Sequence, residues 1–280
     1  MAVFVNELSF SVENTRQHSA ESSRIIGKLY QQFIHMFDYS ITPEILANKT
    51  ILITGAGAGI GRQAALTYAE LGATVILLGK TVAKLEAVYD EILGNGHPEP
   101  AIVPLDLKGA TKQNYIDLTS TIVSQFGKLD GALLNASMLG ELTPFTQVSE
   151  QIWHDVMNVN VNAQFLLAQA LIPSLLKAES ASLVFTSSGV GNKGKAYWGA
   201  YSVSKFATEG MMQVIADEYE NSSLRVNAIN PGATSTNMRA SAYPAENKDS
   251  IAAPEDIMPL YVYLMSDDSK AVNAQRLNAQ

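Results

Sequence analysis

The stretch TILITGAGAGIG, residues 50–61, decides the fold. Its first five residues are apolar or β-branched, as in a buried strand, and glycines follow at positions 55, 59 and 61. Gly55 permits a tight turn, Gly59 lets backbone approach a pyrophosphate, and Gly61 lets a helix pack closely on the strand. The stretch therefore predicts a strand, a turn and a helix whose free N–H groups bind a dinucleotide. A glycine-rich turn without a ligand is the alternative interpretation.

Outward from this stretch, short apolar runs alternate with amphipathic helical patterns. The predicted buried strands are residues 50–54, 74–78, 101–105, 129–135, 182–188 and 224–230. The predicted helices start near Ile60, Val82, Thr111, Glu150 and Ala200. This alternation predicts a single α/β domain built on a doubly wound parallel sheet, the Rossmann fold, with functional residues at the carboxyl ends of the strands.

The composition limits the classes of partner. A formal charge of −8 and a pI near 5.0 argue against nucleic acid and anionic lipid, because the protein's field repels both. The sequence has no cysteine, which excludes disulfides and thiolate sites and leaves the redox compartment undetermined. The cytoplasm is the expected location by default. Its histidines show no metal-ligand spacing, and no apolar run approaches the ~20 residues of a membrane span. We expect a small molecule or a protein as partner, and no metal.

Residues 1–40 fall outside the alternating pattern. Apolar residues between Ile25 and Phe37 recur at helical spacing, which predicts an N-terminal extension containing one amphipathic helix. The helix could pack on the domain or on a second copy, with partner docking and membrane-surface binding as alternatives. Residues 41–280 then form the dinucleotide-binding domain.

The end of the second strand distinguishes between dinucleotides. An acidic residue there would bind the ribose 2′-hydroxyl, but residues 77–81 read LLGKT and place Lys80 at this point. A cation suits a 2′-phosphate, so NADP(H) is predicted over NAD(H). An ordinary solvated lysine at the start of a helix is the alternative.

Later motifs follow the remaining strands. These are LLNAS (133–137), VMNVNVNAQF (156–165), VFTSSGVG (184–191), YSVSK (201–205) and NPGATST (230–236). Their order and spacing over residues 48–279 resemble the short-chain dehydrogenase/reductase family, whose motifs are TGxxxGxG, NNAG, a helix Asn, a Ser about thirteen residues before Tyr, and YxxxK. Within that family, the string WGAYSVSKFATEGMMQVIADEY (198–219) is similar to the YciK-type bacterial oxidoreductases.

The resemblance implies an oxidoreductase that transfers a hydride between NADP(H) and a carbonyl or secondary alcohol. It implies four catalytic residues, Ser188, Tyr201, Lys205 and Asn160, with Asn162 as a competitor for the last role. The implied cofactor contacts are Thr54, Gly55, Gly59, Ile60, Gly61, Lys80, Asp106, Leu107, Asn135, Ala136, Tyr201, Lys205, Pro231, Gly232 and Thr236. It also implies a homodimer or homotetramer formed through the helices after the fourth and fifth strands.

Tyr201 and Lys205 lie one helical turn apart. A phenol of pKa near ~10 needs help to exchange protons at pH 7, and a cation at ~5 Å is worth about 3 kcal/mol at an effective dielectric of ~20. We therefore expect Lys205 to lower the pKa of Tyr201 by roughly two units. The alternative is a half-buried aromatic side chain beside a snorkelling lysine.

Three further features bear on function. Leu134 and Ser137 replace the first Asn and the Gly of the family's NNAG, and Ser137 is expected to restrict the loop. Residues 234–248 form a predicted lid over a mainly apolar pocket, which suits a ketone, aldehyde or secondary alcohol. The residues predicted near the mouth of this pocket are Met138, Leu139, Val190, Trp198, Met238, Ala240, Ala242 and Tyr243. MFDYSITPEILANKTILITG, starting at Met36, resembles a natural start for this family, so residues 1–35 are hypothesised to be an added segment.

Two rival functions remain open. The first is epimerisation or dehydration with the same tyrosine and a tightly held cofactor. The second is a non-catalytic NADP(H)-sensing protein, in which binding alters a partner surface.

Overall fold

The structure is a computed structural model that describes residues 37–280. The helix predicted within residues 1–40 lies outside the described residues except for positions 37–40, which are not helical. The hypothesis of an added segment at 1–35 also lies outside them. Among residues 37–280, no helix is both long and apolar enough to cross a membrane, and no three His, Asp or Glu side chains are grouped to hold a metal ion.

Seven parallel strands form one sheet in the order β3-β2-β1-β4-β5-β6-β7. They are β1 Thr50–Thr54, β2 Thr74–Gly79, β3 Ala101–Pro104, β4 Gly131–Leu134, β5 Ala181–Thr186, β6 Leu224–Asn230 and β7 Arg276–Asn278. The predicted doubly wound parallel α/β fold is confirmed. The strand order reverses between β1 and β4, and ligands bind at such a switch point. Strand β7 was not predicted, because it is three residues long and begins with arginine.

Helices cover both faces of the sheet. They are α1 Gly59–Glu70, α2 Val82–Gly94, α3 Lys112–Phe126, α4 Glu150–Met157, α5 Ala163–Leu175, α6 Gly199–Glu218, α7 Asn237–Ala242 and α8 Met258–Met265. Buried side chains of α1, α2 and α8 form the core on one face, and those of α3, α5 and α6 form the core on the other. The five inner strands, β2, β1, β4, β5 and β6, are therefore buried on both sides, which is why they read as continuous apolar runs.

Candidate active site

A cavity of about 620 Å³ opens at the carboxyl edge of the sheet. The glycine loop after β1 lines one wall, and Ser188, Tyr201 and Lys205 line the opposite wall. Both walls meet where the strand order reverses between β1 and β4. The fold thus brings the predicted nucleotide loop and three of the four predicted catalytic side chains to one cleft.

The glycine loop has a backbone that other residues would not adopt. Gly55 and Gly59 have φ values of +70° and +56°, in the left-handed region. A Cβ on Gly61 would lie 2.3 Å from the carbonyl oxygen of Gly55, so the helix could not approach the strand as closely. Helix α1 begins at Gly59, and its N-cap, Ala58, provides no side-chain hydrogen bond to the first turn. The N–H groups of that turn are therefore left for an anion.

Two lysines mark the far end of the cleft. Lys80, at the end of β2, and Lys84, one turn into α2, are exposed and line the cavity with Asp106 and Leu107. Neither lysine has an ion-pair partner among residues 37–280, whereas Lys108 nearby pairs with Asp155 at 2.7 Å. Lys84 was not predicted, although it follows Lys80 by only four residues in the sequence.

The ends of β1, β4 and β5 are joined by polar side chains. The Thr54 hydroxyl accepts hydrogen bonds from the backbone N–H groups of Asn135 and Ala136, both at 2.9 Å. The Asn135 amide donates to the Thr54 carbonyl at 3.3 Å and accepts from the Thr186 hydroxyl at 3.2 Å. Asn135 and Ala136 line the cavity, but Thr54 is buried behind it. Thr54 therefore holds the loop that faces the cleft and does not itself line it.

Asn160 lies in a π-helical turn, Asn158–Asn162, between α4 and α5. Its fully buried amide accepts from Met138 N–H at 2.7 Å and donates to the Met138 carbonyl and the Ser204 hydroxyl, each at 2.9 Å. Asn162 instead bonds Asn158 on an exposed face. The Asn160 amide is therefore directed to the loop after β4, and the catalytic role that the resemblance implies for Asn160 stays a prediction.

The electrostatics of Tyr201 differ from the prediction. Burial raises the pKa of Tyr201 to about 12, although the nearby hydroxyls of Ser137 and Ser188 act to lower it. Burial also lowers the pKa of Lys205 to about 7, against the opposing effect of the Glu209 carboxylate. The expectation that Lys205 lowers the pKa of Tyr201 is therefore wrong. The Nζ of Lys205 lies 5.5 Å from the Tyr201 ring centroid and donates to the Thr186 carbonyl at 2.7 Å. Burial disfavours the charged form of both Tyr201 and Lys205.

Glu209 is a further residue of this wall that sequence analysis missed. It lies on α6, one turn beyond Lys205, and is 7% exposed. Its carboxylate accepts from the Ser187 hydroxyl and from Arg276 Nε at 2.8 Å, and Arg276 Nη2 donates to the Ser188 carbonyl at 3.3 Å. Tyr201, Lys205 and Glu209 thus share one face of α6, and their spacing of four residues was the available signal.

Ser137 fits the loop that follows β4. Its φ is not among the positive values found for non-glycine residues, so the backbone accepts a side chain there. The expected restriction by Ser137 is therefore not observed. The side chain lines the cavity beside Asn135 and Ala136.

The loop after β6 closes one side of the cleft. Pro231, Gly232 and Thr236 line it, and the Thr236 methyl would lie 3.3 Å from a Cβ on Gly59. The Thr236 hydroxyl caps α7 by accepting from Arg239 N–H at 3.2 Å. Thr236, a predicted cofactor contact from the NPGATST motif, therefore lies beside the glycine loop.

The mouth of the cavity is mainly apolar with one ion pair. The lining side chains there are Met138, Leu139, Trp198, Met238, Ala242 and Arg239. Arg239 pairs with Glu246 through two hydrogen bonds of 2.6 Å, and it was not predicted. The Trp198 ring lies 5.7 Å from that of Tyr201 and 5.9 Å from that of Tyr243. Three residues predicted near the mouth, Val190, Ala240 and Tyr243, lie outside the lining set.

The cleft fits a dinucleotide. Gly55, Gly57 and Gly59 of the glycine loop line the cavity, together with two exposed lysines and the pair formed by Tyr201 and Lys205. The volume is in the range of pockets that enclose most of a small ligand. Backbone N–H groups suit a pyrophosphate, and the lysines suit a further phosphate.

Comparison with known proteins gives a consistent result. A family model described as short chain dehydrogenase matches residues 49–247. The Escherichia coli K12 protein named uncharacterized oxidoreductase YciK is 52% identical over 86% of this chain and 96% of its own. A short chain dehydrogenase structure from Pseudomonas syringae has a TM-score of 0.87 at 55% identity, covering 88% of this chain and all of that one. Another, from Escherichia coli CFT073 complexed with NADPH, has a TM-score of 0.84 at 51% identity, covering 86% and 100%.

Proposed function

This chain belongs to the short-chain dehydrogenase/reductase family, with the YciK-type resemblance confirmed, and we propose that it is an NADP(H)-dependent oxidoreductase acting on a carbonyl or secondary alcohol. The observation that carries the proposal is the position of Ser188, Tyr201 and Lys205 on one wall of the cleft, opposite the glycine loop. A nucleotide held by that loop would lie beside groups able to exchange a proton with substrate oxygen.

The chemistry of reduction follows from these residues. When bound, NADPH supplies the hydride that the carbonyl carbon receives. Tyr201 donates its phenolic proton to the carbonyl oxygen, and it holds that proton at neutral pH because its pKa is raised to about 12. The Ser188 hydroxyl donates a hydrogen bond to the same oxygen and stabilises its developing negative charge. Hydride and proton together convert the carbonyl into an alcohol.

Lys205 returns a proton to the tyrosinate left by proton donation. The Thr186 carbonyl fixes Lys205 Nζ, which then lies 5.5 Å from the Tyr201 ring. Since burial lowers the pKa of Lys205 to about 7, it can give up a proton near neutral pH and so return one to Tyr201. Asn160 binds the N–H and the carbonyl of Met138 and so fixes the loop that lines the cleft.

NADP(H) is the proposed cofactor in preference to NAD(H). Lys80 and Lys84 offer two cations where the predicted acidic residue of an NAD(H) site is missing. A relative of 51% identity has been crystallised with NADPH. Together these observations support recognition of a 2′-phosphate.

We propose a small-molecule substrate and a self-associating protein. The apolar mouth suits a ketone, aldehyde or secondary alcohol of moderate bulk. Large apolar side chains on α5 and α6, Phe165, Val203, Phe206 and Val214, are 40–57% exposed, which supports a homodimer or homotetramer through these helices. The cytoplasm is proposed as the default location, since a sequence without cysteine carries no information on the redox compartment.

The proposed function is tested by titrating the protein with NADPH and NADH and then assaying a panel of carbonyl compounds. We expect tighter binding of NADPH, and oxidation of NADPH that Tyr201→Phe abolishes. Tyr197→Phe is the matched control, because Tyr197 is 61% exposed and does not line the cavity. Product formed without net oxidation of NADPH would favour epimerisation or dehydration, binding without turnover would favour a sensor, and no binding would overturn the proposal.

A further inference from the structure

Ser137 is held in place from both sides. The N–H groups of the two preceding residues, Asn135 and Ala136, are bound by the Thr54 hydroxyl at 2.9 Å. The N–H and carbonyl of the following residue, Met138, are both bound by the Asn160 amide. Four hydrogen bonds therefore fix the backbone around Ser137, although it lies in a loop. Such fixed positions are typical of groups that must meet a ligand without rearranging.

The Ser137 hydroxyl oxygen is buried and makes no hydrogen bond of ordinary geometry within residues 37–280, although it lies close enough to the Tyr201 phenol to lower its pKa. It lines the cavity and lies near the Tyr201 phenol, as does Ser188. A buried hydroxyl without a partner is costly, and most are satisfied. The hydroxyls of Ser137, Ser188 and Tyr201 thus lie in the same part of the cleft, and the Ser137 hydroxyl can bind a ligand there.

The number of hydroxyls exceeds what a simple carbonyl oxygen requires. A carbonyl oxygen has two lone pairs, and in the proposed function Tyr201 and Ser188 already occupy them. A hydroxyl both donates and accepts, so the third can bind either a carbonyl or a hydroxyl next to the reacting group.

We propose that Ser137 binds a second oxygen adjacent to the reacting carbonyl, so that the preferred substrates are vicinal dioxygen compounds, either α-hydroxy ketones or α-diketones. This inference rests on the proposed function and adds the substrate class. Ser137 is then the residue that distinguishes such substrates from simple ketones.

The test compares two ketones of one carbon skeleton, 4-hydroxyhexan-3-one and hexan-3-one. Binding of each to protein saturated with NADP⁺ is followed by tryptophan fluorescence, because Trp198 lies 5.7 Å from Tyr201. Oxidised cofactor prevents reduction of either ketone, and the absence of NADPH absorbance verifies that the hydroxyl of 4-hydroxyhexan-3-one is not oxidised during the titration. The hydroxy ketone should bind at least about tenfold more tightly to wild type, the size of one good hydrogen bond. Ser137→Ala should bring the ratio near one, and Ser137→Thr, which keeps the hydroxyl, should retain most of it.

Turnover with NADPH supplies a second readout. The loss of kcat/KM in Ser137→Ala should be about tenfold larger for the hydroxy ketone than for hexan-3-one, and this double ratio cancels differences in intrinsic reactivity. Equal losses on both ketones, or an unchanged binding ratio, would overturn the inference. A raised NADPH Kd with the ratio retained would also overturn it, since Ser137 would then contact the nucleotide. Failure of wild type to bind NADP⁺ would instead reject the proposed function.

Discussion

The two halves of the cleft are built on different physical principles. The half after β1–β3 offers backbone N–H groups, glycines and exposed lysines. The half after β4–β6 contains buried ionisable side chains, of which Tyr201, Lys205 and Glu209 are each at most 7% exposed. Water screens charge in the first half, whereas burial shifts the pKa of Tyr201 and Lys205 in the second.

Substitutions in the two halves should therefore differ in the size of their effects. Exposed charges contribute little individually, so the lysines should tune nucleotide affinity in small steps. Buried groups interact strongly, so single changes near Tyr201 should have large effects on catalysis. The halves are also connected, because Asn135 bonds both Thr54 of the first and Thr186 of the second, and Thr186 binds Lys205.

The largest effect should come from the proton donor. Tyr201→Phe removes the phenolic hydroxyl and should lower kcat/KM by about 10³-fold, since general acid catalysis contributes about 10²–10⁴-fold. NADPH affinity should change by less than about threefold, because backbone groups and lysines hold the nucleotide. Steady-state kinetics and a fluorescence titration measure the two. A comparable loss of NADPH binding would show that the halves are not separate in function.

The next largest effect should come from the glycine loop. A Cβ at Gly61 would lie 2.3 Å from the Gly55 carbonyl oxygen, so Gly61→Ala must displace α1 or the loop. We expect an NADPH Kd at least about 100-fold higher and a lower Tm, because misplaced N–H groups no longer meet the phosphates. Gly94→Ala is the control, since nothing lies within 4 Å of a Cβ there. Equal behaviour of the two variants would contradict the close packing of α1.

A smaller effect should come from Glu209. Lys205 loses its proton as pH rises through about 7, so kcat/KM for reduction should fall over that range. The Glu209 carboxylate favours the charged lysine, so Glu209→Gln should move this limb of the pH profile to lower pH and reduce kcat/KM by about tenfold at pH 7.5.

Arg276→Gln provides the opposite case. The charged and polar groups facing Lys205 are Tyr201 and Glu209 on its own helix and the Thr186 carbonyl from β5. Arg276 pairs with Glu209, so its removal should strengthen the effect of that carboxylate and move the limb to higher pH. Shifts of one sign in both variants would refute this role for Glu209.

The smallest effects should come from the exposed lysines. Lys80→Ala and Lys84→Ala should each weaken NADPH binding by about threefold to fivefold, less at high salt, and leave NADH binding nearly unchanged. Lys177→Ala is the control, an exposed lysine that does not line the cavity. Equal losses for NADPH and NADH would show that neither lysine recognises the 2′-phosphate.

Much of the fold was predictable, because strands buried on both sides read as apolar runs and glycines mark the loop at residues 55–61. The six predicted strands are present within two residues of their predicted ends. Strand β7 was not predictable, since Arg276 and Asn278 are polar and occupy the sheet edge. Its arginine nevertheless contacts the site through Glu209.

The site was predictable in its residues and less so in its electrostatics. Ser188, Tyr201 and Lys205, which the family resemblance implies as catalytic residues, line one cavity. The pKa of Tyr201 could not, because desolvation depends on how the chain encloses a group and sequence spacing shows only its neighbours. The hydrogen-bond partners of Asn160 could not be predicted either, because only the folded chain brings the Met138 backbone next to the Asn160 amide.

The most direct test of the central claim follows the hydrogen that NADPH transfers. NADPH deuterated at the transferred position of nicotinamide C4 is incubated with a carbonyl compound that the protein reduces, and the product is analysed by mass spectrometry. We predict one deuterium on the carbinol carbon of the alcohol, with about 10³-fold slower formation in Tyr201→Phe. An alcohol without deuterium, or equal rates in the two proteins, would contradict hydride transfer assisted by Tyr201.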